Sequence, residues 1–459
     1  MAIKKLKLKR EMFIRAISIL SLVFLLNSCA SVPKSQPQID ALLLSNNYEQ
    51  ALAILSNDKN AYGANNELLY SLDKGILEHF NRDYAKSIET FANAQVKFDE
   101  LYTESLSKIA ATWIFNDYSA PYHGEDFEHV FINVFQAINY LMLGEYEDAI
   151  VEARDVDSKL NAINAQYKAD QKNVYKEDAF IRMLMGILYE AGKGRENIND
   201  AYISYIKAAE IYEGDYSKNY DVAFPVLLKE NILTTAKAMG WMEFNKARKK
   251  YPDTMLLTLK EKSKMAEVYL IQYNGISPKK IEDSLTIPML DGNIVKIAFP
   301  KYLNRQYGIT TSRFIASSSG GGVFKADSER VQDIGGIARK NLASRKVRFI
   351  AKSVLRAAGR YLVEKKQKKN IEKKQGKETG GWFSFFANIY NIMIEKADLR
   401  SWMSLPDEVR ISRIILKPGD YDFSLENFND SGTNLGILNI EKKTVKAGQK
   451  LFYIIHTSH

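Results

Sequence analysis

The feature that most limits how this chain can fold is a pattern that recurs between residues 39 and 260. Four times, a short polar turn leads into a small residue and then into apolar residues at helical spacing. Asn47-Tyr48-Glu49-Gln50-Ala51 precedes Leu52 and Ile54. Asp83-Tyr84-Ala85-Lys86-Ser87 precedes Ile88, Phe91 and Ala94. Gly144-Glu145-Tyr146-Glu147-Asp148-Ala149 precedes Ile150 and Ala153, and Asn199-Asp200-Ala201 precedes Tyr205 and Ala208. A recurrence at three and four is the period of a helix with one buried face. The pattern predicts paired helices over 39–260, closed by Tyr251-Pro252-Asp253. Ser87, Ala149 and Ala201 are unevenly spaced, so the array is irregular.

These units resemble the tetratricopeptide (TPR) repeat. In that family a small residue of the first helix packs against a small residue of the second, and a large apolar residue follows. Gly75 with Ser87, Phe91 and Ala94 matches. So do Ala137 and Tyr140 with Ala149, and Gly186 and Tyr189 with Ala201, Tyr205 and Ala208. The resemblance implies a stacked helical domain with a concave surface for a peptide or a partner domain.

The chain contains one cysteine, so no internal disulfide forms and a cysteine-rich zinc site is excluded. Lys4, Lys5, Lys7, Lys9, Arg10 and Arg15 precede an apolar run from Ala16 to Leu26. That layout predicts a signal peptide over 1–28. Leu26-Asn27-Ser28-Cys29 resembles the lipobox of bacterial lipoproteins, with Asn27 the one departure. The resemblance implies cleavage between Ser28 and Cys29 and acylation of Cys29. Each buried methylene contributes about 0.8 kcal/mol, so several chains on one cysteine anchor firmly. Residues 29–38, with Pro33 and Pro37, read as a lipidated tether. Ala30 and Ser31 place no acid directly after the cysteine, which in lipoproteins that this resembles implies the outer membrane.

Residues 261–459 read as a smaller α+β domain. Strands are expected at Glu267–Tyr273, Asn293–Phe299, Ile411–Leu416, Tyr421–Leu425, Leu435–Ile440 and Leu451–Ile455. The late strands predict an antiparallel, sandwich-like sheet joined by the strands near 267–299. Thr310 to Gly322, with Ser317-Ser318-Ser319-Gly320-Gly321-Gly322, lacks the lysine of a phosphate loop and reads as a flexible connection. Ser328 to Glu364 is expected to be helical, Lys365–Lys374 mobile, and Trp382-Phe383-Ser384-Phe385-Phe386 the start of an apolar helix. Residues 339–377 hold fifteen Lys or Arg against two acids. That asymmetry predicts a local contact with an anionic lipid or envelope polymer. Nucleic acid is not expected for an exported chain.

Four constellations could bind or react. Glu125 and His129, within His123–His129, are four apart and could share a helix face, but the stretch lacks a metalloprotease pattern and reads better as an acidic helix start. No metal or cofactor is expected. Glu152 and Arg154 could meet a partner or pair within the helix layer. Asp398, Arg400 and Trp402 alternate, so an extended chain would set all three on one side, with Arg400 over Trp402 and Asp398 holding the guanidinium. No serine lies in a G-x-S-x-G turn, and the five histidines form no recognisable triad.

Nearly all of the mature chain resembles a poorly characterised family of bacterial TPR-like outer-membrane lipoproteins. The resemblance rests on Tyr122, Gly124, Phe127 and Glu128; on Ala149, Val151, Glu152 and Arg154; and on Gly275, Ser277, Pro278 and Lys279. It is most specific at Ala397-Asp398-Leu399-Arg400-Ser401-Trp402 with Leu405-Pro406. It implies an envelope protein and no established activity. The expectation is a non-enzymatic adaptor on the periplasmic face of the outer membrane, its repeats binding a protein partner in assembly, export or secretion. The alternatives are a peptidoglycan- or polysaccharide-active enzyme, with carboxylates near His123–His129 or Asp398, and a surface-exposed lipoprotein.

Overall fold

A computed structural model describes residues 35–108, 120–165, 175–192, 194–288, 294–375 and 396–458. Ser28, Cys29 and the aromatic stretch from Trp382 lie outside the described residues. The chain is α+β, with helices over roughly 36–250 followed by mixed and antiparallel sheets. No helix among the described residues is long and apolar enough to cross a membrane.

The helices run α1 (Gln36–Leu44), α2 (Tyr48–Asn57), α3 (Glu67–Phe80), α4 (Tyr84–Lys108), α5 (Asp126–Leu143), α6 (Tyr146–Ala165), α7 (Ala179–Gly192), α8 (Arg195–Ile211), α9 (Val226–Met239) and α10 (Trp241–Lys250). Two of the polar turns show how the sequence sets the helix ends. Asn47 caps α2 by accepting from the Gln50 amide at 3.3 Å. Gly144 closes α5 in the left-handed conformation, φ +81°. The small residues allow close approach. A Cβ on Gly75 would stand 2.6 Å from Cε1 of Phe91, and one on Gly186 would run into the ring of Tyr205. Ser87 donates its hydroxyl to the Gly75 carbonyl at 2.7 Å, tying α4 to α3. Ala137 and Ala149 are fully buried between α5 and α6.

The strands are β1 (Ala266–Asn274), β2 (Lys279–Pro288), β3 (Ile294–Leu303), β4 (Thr311–Ser318), β5 (Val323–Asp327), β6 (Glu329–Asp333), β7 (Glu408–Leu416), β8 (Gly419–Phe428), β9 (Asn434–Val445) and β10 (Lys450–Thr457), with α11 (Ile334–Gln375) between β6 and β7. One sheet has the order β10-β1-β7-β6 and a second β5-β4-β8-β9, while β2 and β3 form a separate hairpin. The first sheet is mixed, because β1 pairs β10 in parallel and β7 antiparallel. The C-terminal strands are therefore not all in an antiparallel arrangement.

Three further expectations are corrected. Thr311–Ser318 is a central strand, not a flexible connection: Phe314, Ile315 and Ala316 are buried, and the flanking serines do not prevent pairing with β5 and β8. The helix begins at Ile334, since 329–333 pairs with β7, and it continues through Lys365–Lys374 to Gln375.

β1 shows why the layers stack as they do. Tyr269, Ile271 and Tyr273 join the core shared with the helices. Ala266, Val268 and Leu270 join a second core with Phe314, Phe423 and Leu425 of the antiparallel sheet. Strand side chains alternate, so a strand buried on both faces reads as a continuous apolar run. The mixed sheet is thus a middle layer, with helices on one side and the second sheet on the other. α11 packs along β3, so the hairpin and the helix form an arm beside this body.

Candidate functional site

The helices meet the mixed sheet through polar as well as apolar groups. His79 on α3 approaches Asn139 of α5 at 2.6 Å and the Tyr273 hydroxyl of β1 at 3.0 Å. Burial pushes the His79 imidazole down to about 4, so it is neutral at physiological pH. Farther along, Lys262, Lys450 and Arg413 face Glu190, Glu267 and Glu230 in a buried ionic lattice. Within it Lys262 and Arg413 lie 3.0 and 3.1 Å from Glu267. Burial raises the Glu267 carboxyl, yet Lys450, Lys262 and Arg413 outweigh it and hold it well below the usual carboxylate range.

Another cluster surrounds Arg400. Its guanidinium grips Asp398 with two parallel bonds, Nε at 2.9 Å and Nη2 at 2.6 Å. Its Nη1 donates to the Asn66 side chain at 3.1 Å and the Ala120 carbonyl at 3.0 Å. The cation lies 5.4 Å from the centre of the Tyr122 ring. Burial raises the Asp398 carboxyl, but the Arg400 bonds outweigh it and leave it below its ordinary value. The expected arrangement is thus half realised: Asp398 holds the guanidinium, but Tyr122, not Trp402, lies beneath it. Trp402 turns into the core, 5.7 Å from Phe91 and 5.9 Å from Phe135, because burying an indole there removes far more apolar surface from water.

The N-terminus of α5 completes the cluster. Glu125 and Glu128 form a capping box, with Glu128 accepting from the Glu125 amide at 3.0 Å. Glu128 also accepts from Tyr122 at 2.5 Å and from the Trp402 amide at 2.7 Å. Burial drives the Glu128 carboxyl up to about 7 despite the nearby Lys280. Glu125 pairs with Lys280 of β2 and with Arg345 of α11. Lys280 also donates to the Arg400 carbonyl at 2.9 Å. Two residues beyond Trp402, Ser404 donates to Asp73 of α3 at 2.5 Å; Asp73 also accepts from Tyr62 at 3.0 Å, and burial raises it to about 7.

Three of the four stretches quoted from the sequence converge here. Tyr122 and Glu128 meet Arg400 and Trp402. The Ser277 amide donates to the Leu405 carbonyl at 2.7 Å. The fourth stretch lies on α6. Glu152 accepts from Asn133 of α5 at 2.6 Å, and Arg154 reaches the Tyr189 hydroxyl of α7, so both act within the helix layer. Glu125 and His129 do not converge: Glu125 turns to its cations, while His129 stacks on Phe98 at 4.1 Å with Nε2 3.1 Å from Asp99. Among the described residues no group of three or more His, Cys, Asp or Glu is placed to hold a metal ion.

Sequence reading missed Lys280, Arg345 and Asp73. Each sits in an amphipathic stretch where a solvated position is the ordinary reading, and only the long-range pairing buries it. Chemically the cluster is a clasp, since its carboxylates are committed to cations, hydroxyls or backbone amides. No family model, no curated protein and no solved structure matches this chain.

Proposed function

We propose that this chain is a non-enzymatic, lipid-anchored adaptor of the bacterial envelope, held by acylated Cys29 at the outer membrane and facing the periplasm. On this reading the helical layer is TPR-like and the two packed sheets form a sandwich-like second domain. The inner helix face, with His79, Phe135 and Glu190, is covered by the chain's own mixed sheet. A protein partner therefore meets the outer face and the free helix ends.

The observation that carries this reading is Trp241 and Met242, at the start of α10. They are 78% and 72% exposed. Exposed Trp and Met are typical anchors of protein interfaces. The adaptor reading is also supported by the state of the carboxylates an enzyme would need. Asp398 is locked to Arg400 and Glu125 to Lys280 and Arg345.

The test is crosslinking from a photoreactive residue at 242 in intact cells, with one at exposed Lys443 as control. It is run beside Trp241→Ala and Cys29→Ala. The reading expects one reproducible partner from 242, lost in both variants and absent from 443. The same products from both positions would overturn it.

A further inference from the structure

We propose that α11 lies along an anionic lipid surface and gives the protein a second membrane contact beside its lipid tether. This inference rests on the reading of Cys29 as the anchor.

The first support is where the tether leaves the fold. The described chain begins at Ser35, six residues after Cys29, so an extended tether reaches at most about 21 Å. The start of α1 must therefore sit close to the bilayer. Asp40 of α1 binds Arg305 at 3.1 Å. The preceding residue, Asn304, accepts from Arg339 of α11 at 2.8 Å. Two adjacent residues after β3 thus join the tether exit to the beginning of the basic helix.

The second support is the helix itself. Its first turns are core: Ile334, Ile337 and Ala338 are buried. After Arg345 pairs with Glu125, the helix runs on for thirty residues to Gln375. At 1.5 Å per residue that is about 45 Å of helix. Lys365, Lys366, Lys369 and Lys373 are exposed, and their spacing of one, four and eight puts them on one side. Val363, 57% exposed, stands three residues before Lys366 and borders that side. Lysines beside an aliphatic residue, on a helix whose start is tied to the tether exit, match anionic headgroups.

The test uses the full-length protein reconstituted in vesicles. Acylation of Cys29 would leave an introduced Val363→Cys as the only thiol, which takes an environment-sensitive fluorophore. In vesicles containing phosphatidylglycerol, the label should shift to the blue and be quenched by headgroup nitroxides. Both effects should vanish in high salt, in phosphatidylcholine alone, and in the variant K365E/K366E/K369E/K373E with unchanged far-UV circular dichroism. A label that stays in water on phosphatidylglycerol vesicles overturns the proposal. So does equal quenching on both vesicle types, or capture by isolated cell-wall polymer without lipid. The intact mass separates the two readings. Unmodified Cys29 would sink the anchor alone, and a Cys29→Ser chain with the same label would still report on the helix.

Discussion

Arg400 gathers five partners from parts of the chain far apart in sequence: Asp398, Asn65, Asn66, Ala120 and the Tyr122 ring. A lysine there keeps the charge but loses the planar fork, stranding buried acceptors at about 1–3 kcal/mol each. Arg400→Lys is expected to cost about 3 kcal/mol in urea denaturation; a loss below about 1 kcal/mol would mean the clasp contributes little. Asp73 makes a prediction in pH. Burial raises its carboxyl from 3.8 to about 7, so the native state holds the proton more tightly than the unfolded chain. That contribution is full below about pH 4 and is lost as pH rises through 7. Asp73→Asn should therefore gain stability relative to wild type between pH 5 and pH 8, by a few kcal/mol of unfolding free energy in urea. His79 has the opposite sign, stabilising above 6.5 and failing as pH falls through 4. Because Glu128 is raised into the same range, Asp73 is read from the difference between variant and wild type at the two pH values. A difference that does not change with pH would refute the assignment.

Between elements, the helix pairs depend on missing side chains. At Gly186 a methyl would meet the ring of Tyr205, which is fully buried and hydrogen-bonded to Glu190 at 3.0 Å. Gly186→Ala should lower stability by about 1–3 kcal/mol in thermal melts, although alanine is the better helix former. A rise in Tm would show that α7 and α8 can separate freely. This packing was legible in advance, since small and large residues at fixed offsets are a local signal. The capped start of α5 was legible for the same reason. The partner of Arg400 was not: alternation along 398–402 pointed to Trp402, but Tyr122 is contributed by a loop 280 residues upstream of that tryptophan. β4 was missed because its serines look like a linker, and only neighbours on both sides make Phe314 a core residue. The continuation of α11 through Lys365–Lys374 was missed because a run of lysines carries no apolar period.

Over the whole molecule, β1 joins the two cores, facing the helices with one side and the second sheet with the other. The last described strand, β10, pairs with β1 over eight positions, from Glu267–Lys450 to Asn274–Thr457. It also supplies Lys450 to Glu190 and Glu267, and His456 to Tyr48 at 3.0 Å. Deleting 450–459 is expected to abolish cooperative melting by circular dichroism, rather than merely to shorten a tail; retention of a single sharp transition would contradict this.

A chain that emerges from a translocation channel amino end first would meet that dependence as a delay. Its helices and β1 would be outside long before β10 arrived. During that interval Tyr269, Ile271 and Tyr273 would lack a finished sheet, and the inner helix face would stay uncovered. Such a protein would depend on a holdase at export, and its vulnerability to proteases would end only when β10 came through and paired with β1.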